Sequence, residues 1–294
     1  MLWLAPGADL NRALGSAPAE CLRMPAGRAQ AQAVEVGRAA FRTPVLLGGQ
    51  AARAGVSCET CHRNGRTNPD FLFPGLSGPP GTADVTSALF STHRGNGVDD
   101  PKPIPDLSGP KPGLKISQTT GDPALERFIH GLVVEEFDGP QPTPATLAGL
   151  AAYVRALDPA ACPIVARQPL SVTGLMADAR RALRAAQDRI AAGDPATAVV
   201  MIAGARARLG LIDERFVGPA LAESRRRLRA ADRRLATLQA GLRAGRPGVA
   251  AALVAWLQAS ATLERDLAAG APASLFNPRR LATMTNRRLP AGPS

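Results

Sequence analysis

Two cysteines three positions apart, with a histidine directly after the second, form the chemically most specific stretch of this chain: Cys58-Glu59-Thr60-Cys61-His62. A Cys-X-X-Cys-His sequence is typical of the attachment site of a c-type haem. Each thiol can add to one of the two haem vinyl groups, and the histidine then lies under the iron as its proximal ligand. The sequence therefore predicts one covalently bound haem c, held by Cys58 and Cys61, with His62 as an iron ligand.

A second interpretation of the cysteines stays open, because Cys-X-X-Cys pairs also occur in zinc sites and in redox-active dithiols. Cys58 and Cys61 together with Cys21 and Cys162 would make a four-cysteine zinc site in a binding module without redox activity. Against it, His62 would have no role, and the outer two cysteines are not part of a second Cys-X-X-Cys pair. In an oxidising compartment these two would instead close a disulfide, which for so long a loop is worth about 4–5 kcal/mol.

The sixth coordination position of the iron is the least determined part of the site. Electron-transfer cytochromes c often use methionine there, but no methionine lies between His62 and residue 167. His93, in a run with two glycines at 91–97, is a candidate distal ligand. His130 falls next to Glu126 on the polar side of a predicted helix, so we expect it at the surface. If neither histidine binds, the iron would be five-coordinate and open to peroxide or another small ligand.

The 294 residues divide into two segments of different charge. Residues 1–167 carry 15 basic and 15 acidic side chains, whereas residues 168–294 carry 20 and 9, so the whole net charge of +11 lies in the second segment. Its basic excess is entirely arginine, and the cluster at 225–234 has no interleaved aromatic residues, so we do not expect a nucleic-acid partner. Solvated helix faces, or docking to an acidic redox partner protein, account for the charge better.

Helices are the predicted elements of the first segment. Residues 1–28 are expected to be irregular, and helices are expected at about 29–42, from Asp122-Pro123 to about 134, and from Thr143-Pro144 to about 157. Residues 67–123 are rich in proline and glycine and show almost no helical periodicity. So long an irregular stretch suits a compact domain only if a buried cofactor supplies the core.

The second segment predicts an antiparallel four-helix bundle. Apolar residues repeat at helical spacing from 171 to 269, with breaks at Gly193-Asp194-Pro195 and at Gly245-Arg246-Pro247-Gly248. Short turns favour antiparallel neighbours. The predicted domains are an irregular segment at 1–28, a haem domain at 29–167, the bundle at 168–270 and a flexible tail at 271–294.

Three runs of residues carry a family resemblance: Val36-Gly37-Arg38-Ala39-Ala40-Phe41, residues 55–62, and Thr86-Ser87-Ala88-Leu89-Phe90. With a closing helix of Leu-X-X-Tyr type that contains Leu150 and Tyr153, they resemble the c-type cytochrome domains of the bacterial di-haem cytochrome c peroxidase and MauG-like family, over about residues 29–160. The resemblance implies that the first and last helices cross at Gly37, with aromatic residues beside it. Those peroxidases carry two attachment motifs and this chain has one, so it cannot move electrons between two haems of its own.

The sequence thus predicts an all-α fold, in which a cytochrome c-like haem domain with long Pro/Gly-rich loops precedes an antiparallel helical bundle. The expected function is single-electron transfer by an exported, periplasmic mono-haem cytochrome with a redox partner protein. The alternative is a peroxidase-like haem enzyme with an open sixth position.

Haem attachment of this kind implies export, although residues 1–5 are too short for the apolar part of a signal peptide. The leader is therefore expected to have been removed or to lie upstream of an incorrectly assigned start. No run of about 18 apolar residues is present, so no transmembrane segment is expected.

Overall fold

The computed structural model describes residues 3–86, 89–93, 95, 97–109, 114–162 and 167–285. Within these residues the fold is built from helices and short two-stranded antiparallel sheets, so the prediction of an all-α fold is confirmed at that level. Helices α1 to α11 are Leu10–Gly15, Arg28–Phe41, Gly49–Arg53, Cys58–Cys61, Ala124–Gly131, Pro144–Ala156, Val172–Ala191, Pro195–Asp213, Ala222–Arg243, Val249–Gly270 and Pro278–Thr285. Strands β1 to β6 are Ser16–Pro18, His62–Arg63, Arg66–Thr67, Thr82–Ala83, Lys102–Pro103 and Arg167–Pro169, and they pair as β1 with β6, β2 with β3 and β4 with β5.

Helices α2 and α6 cross at two glycines. A Cβ atom at Gly37 would overlap the carbonyl oxygen of Gly149, and one at Gly149 would come within 2.9 Å of the backbone nitrogen of Gly37. One turn further along, the rings of Phe41 and Tyr153 pack with their centroids 5.1 Å apart. The crossing at a small residue with aromatics beside it, which the family resemblance implies, is present in this fold.

Helices α7 to α10 form the predicted antiparallel bundle, in which α7 packs on α8 and α10, and α9 packs on the same two helices. Each helix contributes an apolar stripe to the bundle interior, including the fully buried Met176, Leu183, Met201, Leu235 and Leu253. The turn at Gly193 has a positive φ of 73°, and Asp194 caps α8 by accepting a hydrogen bond from the backbone of Thr197. The break at 193–195 therefore ends one helix and begins the next, as predicted.

The two segments that differ in composition, before and after residue 167, pack directly against each other. One hydrophobic cluster runs from α2 and α6 into the bundle, because α2 packs against α7 and α8. At the closest point a Cβ at Gly204 of α8 would lie 2.9 Å from the carbonyl oxygen of Ala39. The pairing of β1 with β6 and a disulfide between Cys21 and Cys162 add two further connections across the first segment.

Both ends of the chain contain structure where the sequence predicts none. The supposedly irregular residues 1–28 include α1 and β1, and the supposedly flexible tail includes α11. These two helices pack together: Leu281 lies against Gly15, and Thr285 Oγ1 is 2.9 Å from Asn11 Oδ1. Helices of six and eight residues are too short to show a periodic pattern, and each is stabilised by a distant partner. Residues 286–294 of the predicted tail lie outside the described residues.

Helix α5 departs from its prediction in one respect. The helical spacing of its apolar residues places Phe128 on the same face as Leu125, but Phe128 is 39% exposed while Leu125 is buried. The helix ends at Gly131 and continues as one wider π turn, Leu132–Glu136.

Helix α8 is the one helix within the described residues that is long and apolar enough to cross a membrane. The test rests on length and composition alone, and 56% of the apolar window is buried inside the fold. In this structure α8 is a core helix of the bundle.

Candidate functional site

The two cysteines of the motif lie on one capped helical turn, α4. The Ser57 side chain accepts a hydrogen bond from the backbone N–H of Thr60, and Thr60 Oγ1 accepts one from the Ser57 N–H at 3.0 Å, which together form a capping box. Residues three apart on a helix share a face, so the thiols of Cys58 and Cys61 lie on the same side of the turn. Both are half-buried and not in a disulfide. Burial raises the pKa of each thiol to about 12, so both are protonated at neutral pH.

His62 follows this turn and begins the hairpin of β2 and β3. Asn64 and Gly65 form the hairpin turn, with positive φ angles of 52° and 77°. The returning strand places Thr67 opposite His62. His62 Nδ1 is 3.0 Å from the carbonyl oxygen of Pro105. Because a carbonyl oxygen only accepts, Nδ1 carries the proton and donates it, and Nε2 keeps a free lone pair. Burial lowers the pKa of His62 to about 4, so the ring is neutral at neutral pH.

These groups fit a covalently attached haem. The helical turn presents two thiols on one face, and the next residue presents a neutral imidazole whose other nitrogen is held by a backbone carbonyl, the usual arrangement of a metal-ligating histidine. The ring of Phe41 lies 6.4 Å from that of His62. Cys58, Cys61 and His62 are therefore the residues that would hold the group.

Four aromatic side chains form a connected cluster, and two of them, Phe73 and Phe90, come from the Pro/Gly-rich stretch. Ring centroids are 4.2 Å apart for Trp3 and Phe73, 5.0 Å for Phe73 and Phe90, and 5.8 Å for Phe90 and Phe137. The apolar run at 71–76, within the Pro/Gly-rich stretch, is buried at Phe71, at Phe73 and at Leu76.

The two remaining histidines, His93 and His130, lie at the protein surface. His93 is 63% exposed, and its Nε2 is 3.9 Å from Asp138 Oδ1. Among the described residues it makes no contact that would support its assignment as distal ligand. His130 Nε2 is hydrogen-bonded to Gln141 Oε1 at 2.8 Å in a solvent-exposed contact, in line with its expected place at the surface.

The outer cysteines, Cys21 and Cys162, form a disulfide next to the loop that holds His62. Arg66 Nη1 lies 3.4 and 3.5 Å from the two sulfur atoms, and Arg66 Nε donates to Asp106 Oδ2 at 2.6 Å. Two of the thiols that a four-cysteine zinc site needs are therefore bonded to each other. Within the described ranges no group of three or more His, Cys, Asp or Glu side chains is placed to hold a metal ion.

Glu59, between the two cysteines, connects the motif to the bundle. Its carboxylate accepts a hydrogen bond from Arg42 of α2 at 3.1 Å and forms an ion pair with Arg208 of α8 at 2.7 Å. Arg42 also pairs with Glu20 at 2.8 Å, and Glu20 accepts a hydrogen bond from Tyr153 Oη at 2.8 Å. The residues of this network are far apart in sequence, so no local pattern identified them.

The carboxylates of this network are ionised at neutral pH. Burial works against the charge of Glu20, but Arg42 and Arg38 outweigh it and lower its pKa to about 2. Burial likewise opposes the charge of Glu59, and Arg208 and Arg42 lower its pKa to about 2. The turn that carries the cysteines is therefore held by charge against α2 and α8.

Glu59→Gln is expected to lower the free energy of unfolding by about 3 kcal/mol. The substitution removes the carboxylate that pairs with Arg42 and Arg208 and leaves their buried positive charges less well compensated. Urea denaturation followed by circular dichroism measures the change. Glu223→Gln is the matched control: its carboxylate pairs with Arg226 and Arg227 on the exposed face of α9, where its side chain is 55% exposed, and its loss should be far smaller. Equal losses in the two variants would contradict a special role for Glu59.

Arg63 directly follows the motif in the sequence, a position from which an arginine could pair with a haem propionate or extend into solvent. It is buried, and it donates to the carbonyl oxygens of Ala13 at 2.9 Å and Ser16 at 3.2 Å. Arg94, which follows the candidate ligand His93 and could likewise pair with a propionate, lies outside the described residues, as do Ser87 and Ala88 of the third family-like run.

No protein-family model, curated protein or solved structure matches this chain. The relation to cytochrome c domains therefore stays a prediction from the motif and from the arrangement around it.

Proposed function

We propose that this chain is an exported, periplasmic mono-haem c-type cytochrome that exchanges single electrons with a redox partner protein. The observation that carries the proposal is the state of His62, which directly follows two thiols on one helical face. Its Nδ1–H is donated to the Pro105 carbonyl, and its Nε2 has no hydrogen-bond partner in the described part of the chain.

Each residue of the site has a separate task. The sulfur atoms of Cys58 and Cys61 would form the two thioether bonds, and His62 Nε2 would be the proximal ligand. When bound, the haem supplies a one-electron iron couple. Pro105 fixes the ring orientation and the tautomer of His62, and the ion pairs of Glu59 hold the turn in place.

Two features of the surrounding fold support the proposal. The first and last helices of the haem segment cross at Gly37 and Gly149 with Phe41 beside them, which is the arrangement that the cytochrome c resemblance implies. The disulfide between Cys21 and Cys162 suits an oxidising compartment such as the periplasm, where covalent haem attachment also takes place.

A peroxidase-like function is the second candidate, and the position of His93 favours it. The side chain of His93 is 63% exposed and lies beside Asp138. No residue is therefore assigned as the sixth ligand of the iron. Because the chain has one attachment motif, an enzyme of this kind would take its electrons from another protein.

The deciding measurement is the absorption spectrum of the full chain, secreted from cells that contain the cytochrome c maturation proteins, reduced and then exposed to carbon monoxide. We expect c-type haem bands that carbon monoxide leaves unchanged, as both axial positions are filled in an electron carrier. A prompt shift would indicate an open position and would favour the peroxidase-like function. Absence of covalent haem would contradict both.

His93→Ala extends the same measurement, with His130→Ala as its control. If His93 is the distal ligand, its removal makes the reduced protein bind carbon monoxide, while the His130 variant keeps the parent spectrum. Identical spectra for all three proteins would exclude His93 from coordination.

A further inference from the structure

A cleft of about 600 Å³ lies between the haem-motif turn and the bundle. One wall comes from Ser57, Glu59 and Thr60, and the other comes from the start of α7 and the end of α8. Neither thiol of the motif nor His62 lines the cleft, so it lies on the other side of the turn from the groups that would hold a haem. It is separate from the proposed redox site.

The charged side chains of the cleft are predominantly basic. Its lining contains six arginines: Arg38, Arg42, Arg63, Arg181, Arg208 and Arg215. The carboxylates in the lining are Glu20, Glu59, Asp178 and Glu214, so the described walls carry two more positive charges than negative ones.

Part of this positive charge lies on two buried side chains, Arg63 and Arg215. In the described part of the chain neither has a carboxylate ion-pair partner. Arg63 donates to the Ala13 and Ser16 carbonyls, as described above, and Arg215 donates to the carbonyl oxygens of Leu14 and Leu211. Burial lowers the pKa of Arg63 to about 10; the charge of Glu59 opposes this shift, and the positive charges of Arg167 and Arg215 add to it. Burial also lowers the pKa of Arg215.

Two further arginines of the lining, Arg42 and Arg208, each have a buried N–H group that makes no hydrogen bond to the described residues. Arg42 Nη1 and Arg208 Nε are buried and have no hydrogen-bond partner among the residues that the structure describes, and Asp178 Oδ2, at 3.6 Å from Arg42 Nη1, is too far away to be one. A buried N–H without an acceptor is costly, and such a group in a native structure calls for an explanation. An acceptor that enters from the cleft would provide one.

We infer that this cleft binds a small oxyanion with two negative charges. Guanidinium groups match carboxylate and phosphate oxygens by paired hydrogen bonds, and a divalent anion would balance the excess charge of the walls. The volume is within the range of small-molecule sites. A dicarboxylate and a phosphate share this chemistry, and the inference does not depend on the presence of haem.

Isothermal titration calorimetry of the full-length protein at low ionic strength tests the inference, with inorganic phosphate in one arm and succinate in the other. We expect saturable one-to-one binding in at least one arm, and the arm that binds more tightly identifies the ligand as phosphate-like or carboxylate-like. Arg215→Gln and Arg181→Ala should each raise the Kd roughly tenfold, as expected for loss of a charge-assisted hydrogen bond. Arg181 is exposed at the cleft, so its variant is informative even if Arg215→Gln does not fold.

Arg234→Ala is the matched control, because it removes the same charge from the exposed face of α9, outside the cleft lining. Its Kd should stay within about twofold of the parent value. The inference is overturned if neither probe binds at millimolar concentration, or if the control weakens binding as much as Arg181→Ala does.

Discussion

The double variant Cys58→Ala/Cys61→Ala is expected to lose covalently bound haem completely. Each thioether bond needs one of these thiols, and no other cysteine is free, because Cys21 and Cys162 are bonded to each other. Haem staining of a denaturing gel measures the loss, since only covalent haem stays with the unfolded chain. The effect is all or none, which makes it the sharpest test of the site.

Cys21→Ala/Cys162→Ala is the matched control for this experiment. It removes the same number of sulfur atoms but leaves the motif intact, so we expect full haem staining together with a loss of about 4 kcal/mol of stability from the missing cross-link. Covalent haem in the motif variant would contradict the proposed attachment. A folded control variant without haem would show that the outer pair takes part in the site.

Gly37→Ala is expected to lower the free energy of unfolding by at least about 3 kcal/mol, despite the higher helix propensity of alanine. The new methyl group would overlap the carbonyl oxygen of Gly149, and a clash with backbone cannot be relieved by a change of rotamer. Helices α2 and α6 would have to separate, which would also loosen the contact of Phe41 with Tyr153. Urea denaturation measures the change.

Gly210→Ala provides the comparison for Gly37→Ala. Gly210 lies inside α8, and a Cβ there would meet no atom within 4 Å. The same substitution should therefore be neutral or should stabilise the protein by up to about 1 kcal/mol. Equal stability of the Gly37 variant and the parent protein would show that the two helices do not depend on a glycine contact.

Elements with a long periodic pattern could be predicted from the sequence. Helices α2 and α6 begin and end within a residue or two of the expected positions, and the four helices of the bundle lie where the apolar repeats and glycine breaks place them. The haem chemistry of the motif stays a prediction, made from the spacing of Cys58, Cys61 and His62, which the structure places on one helical turn and the residue after it. These features depend on residues close together in the chain.

Features that depend on distant partners could not be predicted. Helices α1 and α11 stabilise each other across almost the whole chain, and the partner of His62 Nδ1 is a backbone carbonyl, which no side-chain pattern reveals. Arg63 resembles any surface arginine in the sequence, yet it is buried under the amino-terminal segment. Phe128 shows the opposite error, since an apolar residue at helical spacing is exposed.

The ion pair between Glu59 and Arg208 also has a consequence for the order in which the protein matures. Ribosomes make a chain from its amino end, so the motif emerges about 150 residues before the arginine that completes its anchorage. The disulfide of Cys21 can form only after Cys162 has been made, and the hydrogen bond from Arg215 to the carbonyl of Leu14 forms later still. Until α8 has been made, Glu59 lacks Arg208, and its ion pair with Arg42 of α2 is the part of the anchorage that can already form. If haem is attached to the turn that carries the motif, as we propose, the late synthesis of the bundle leaves a period for that modification before the turn is packed against α8.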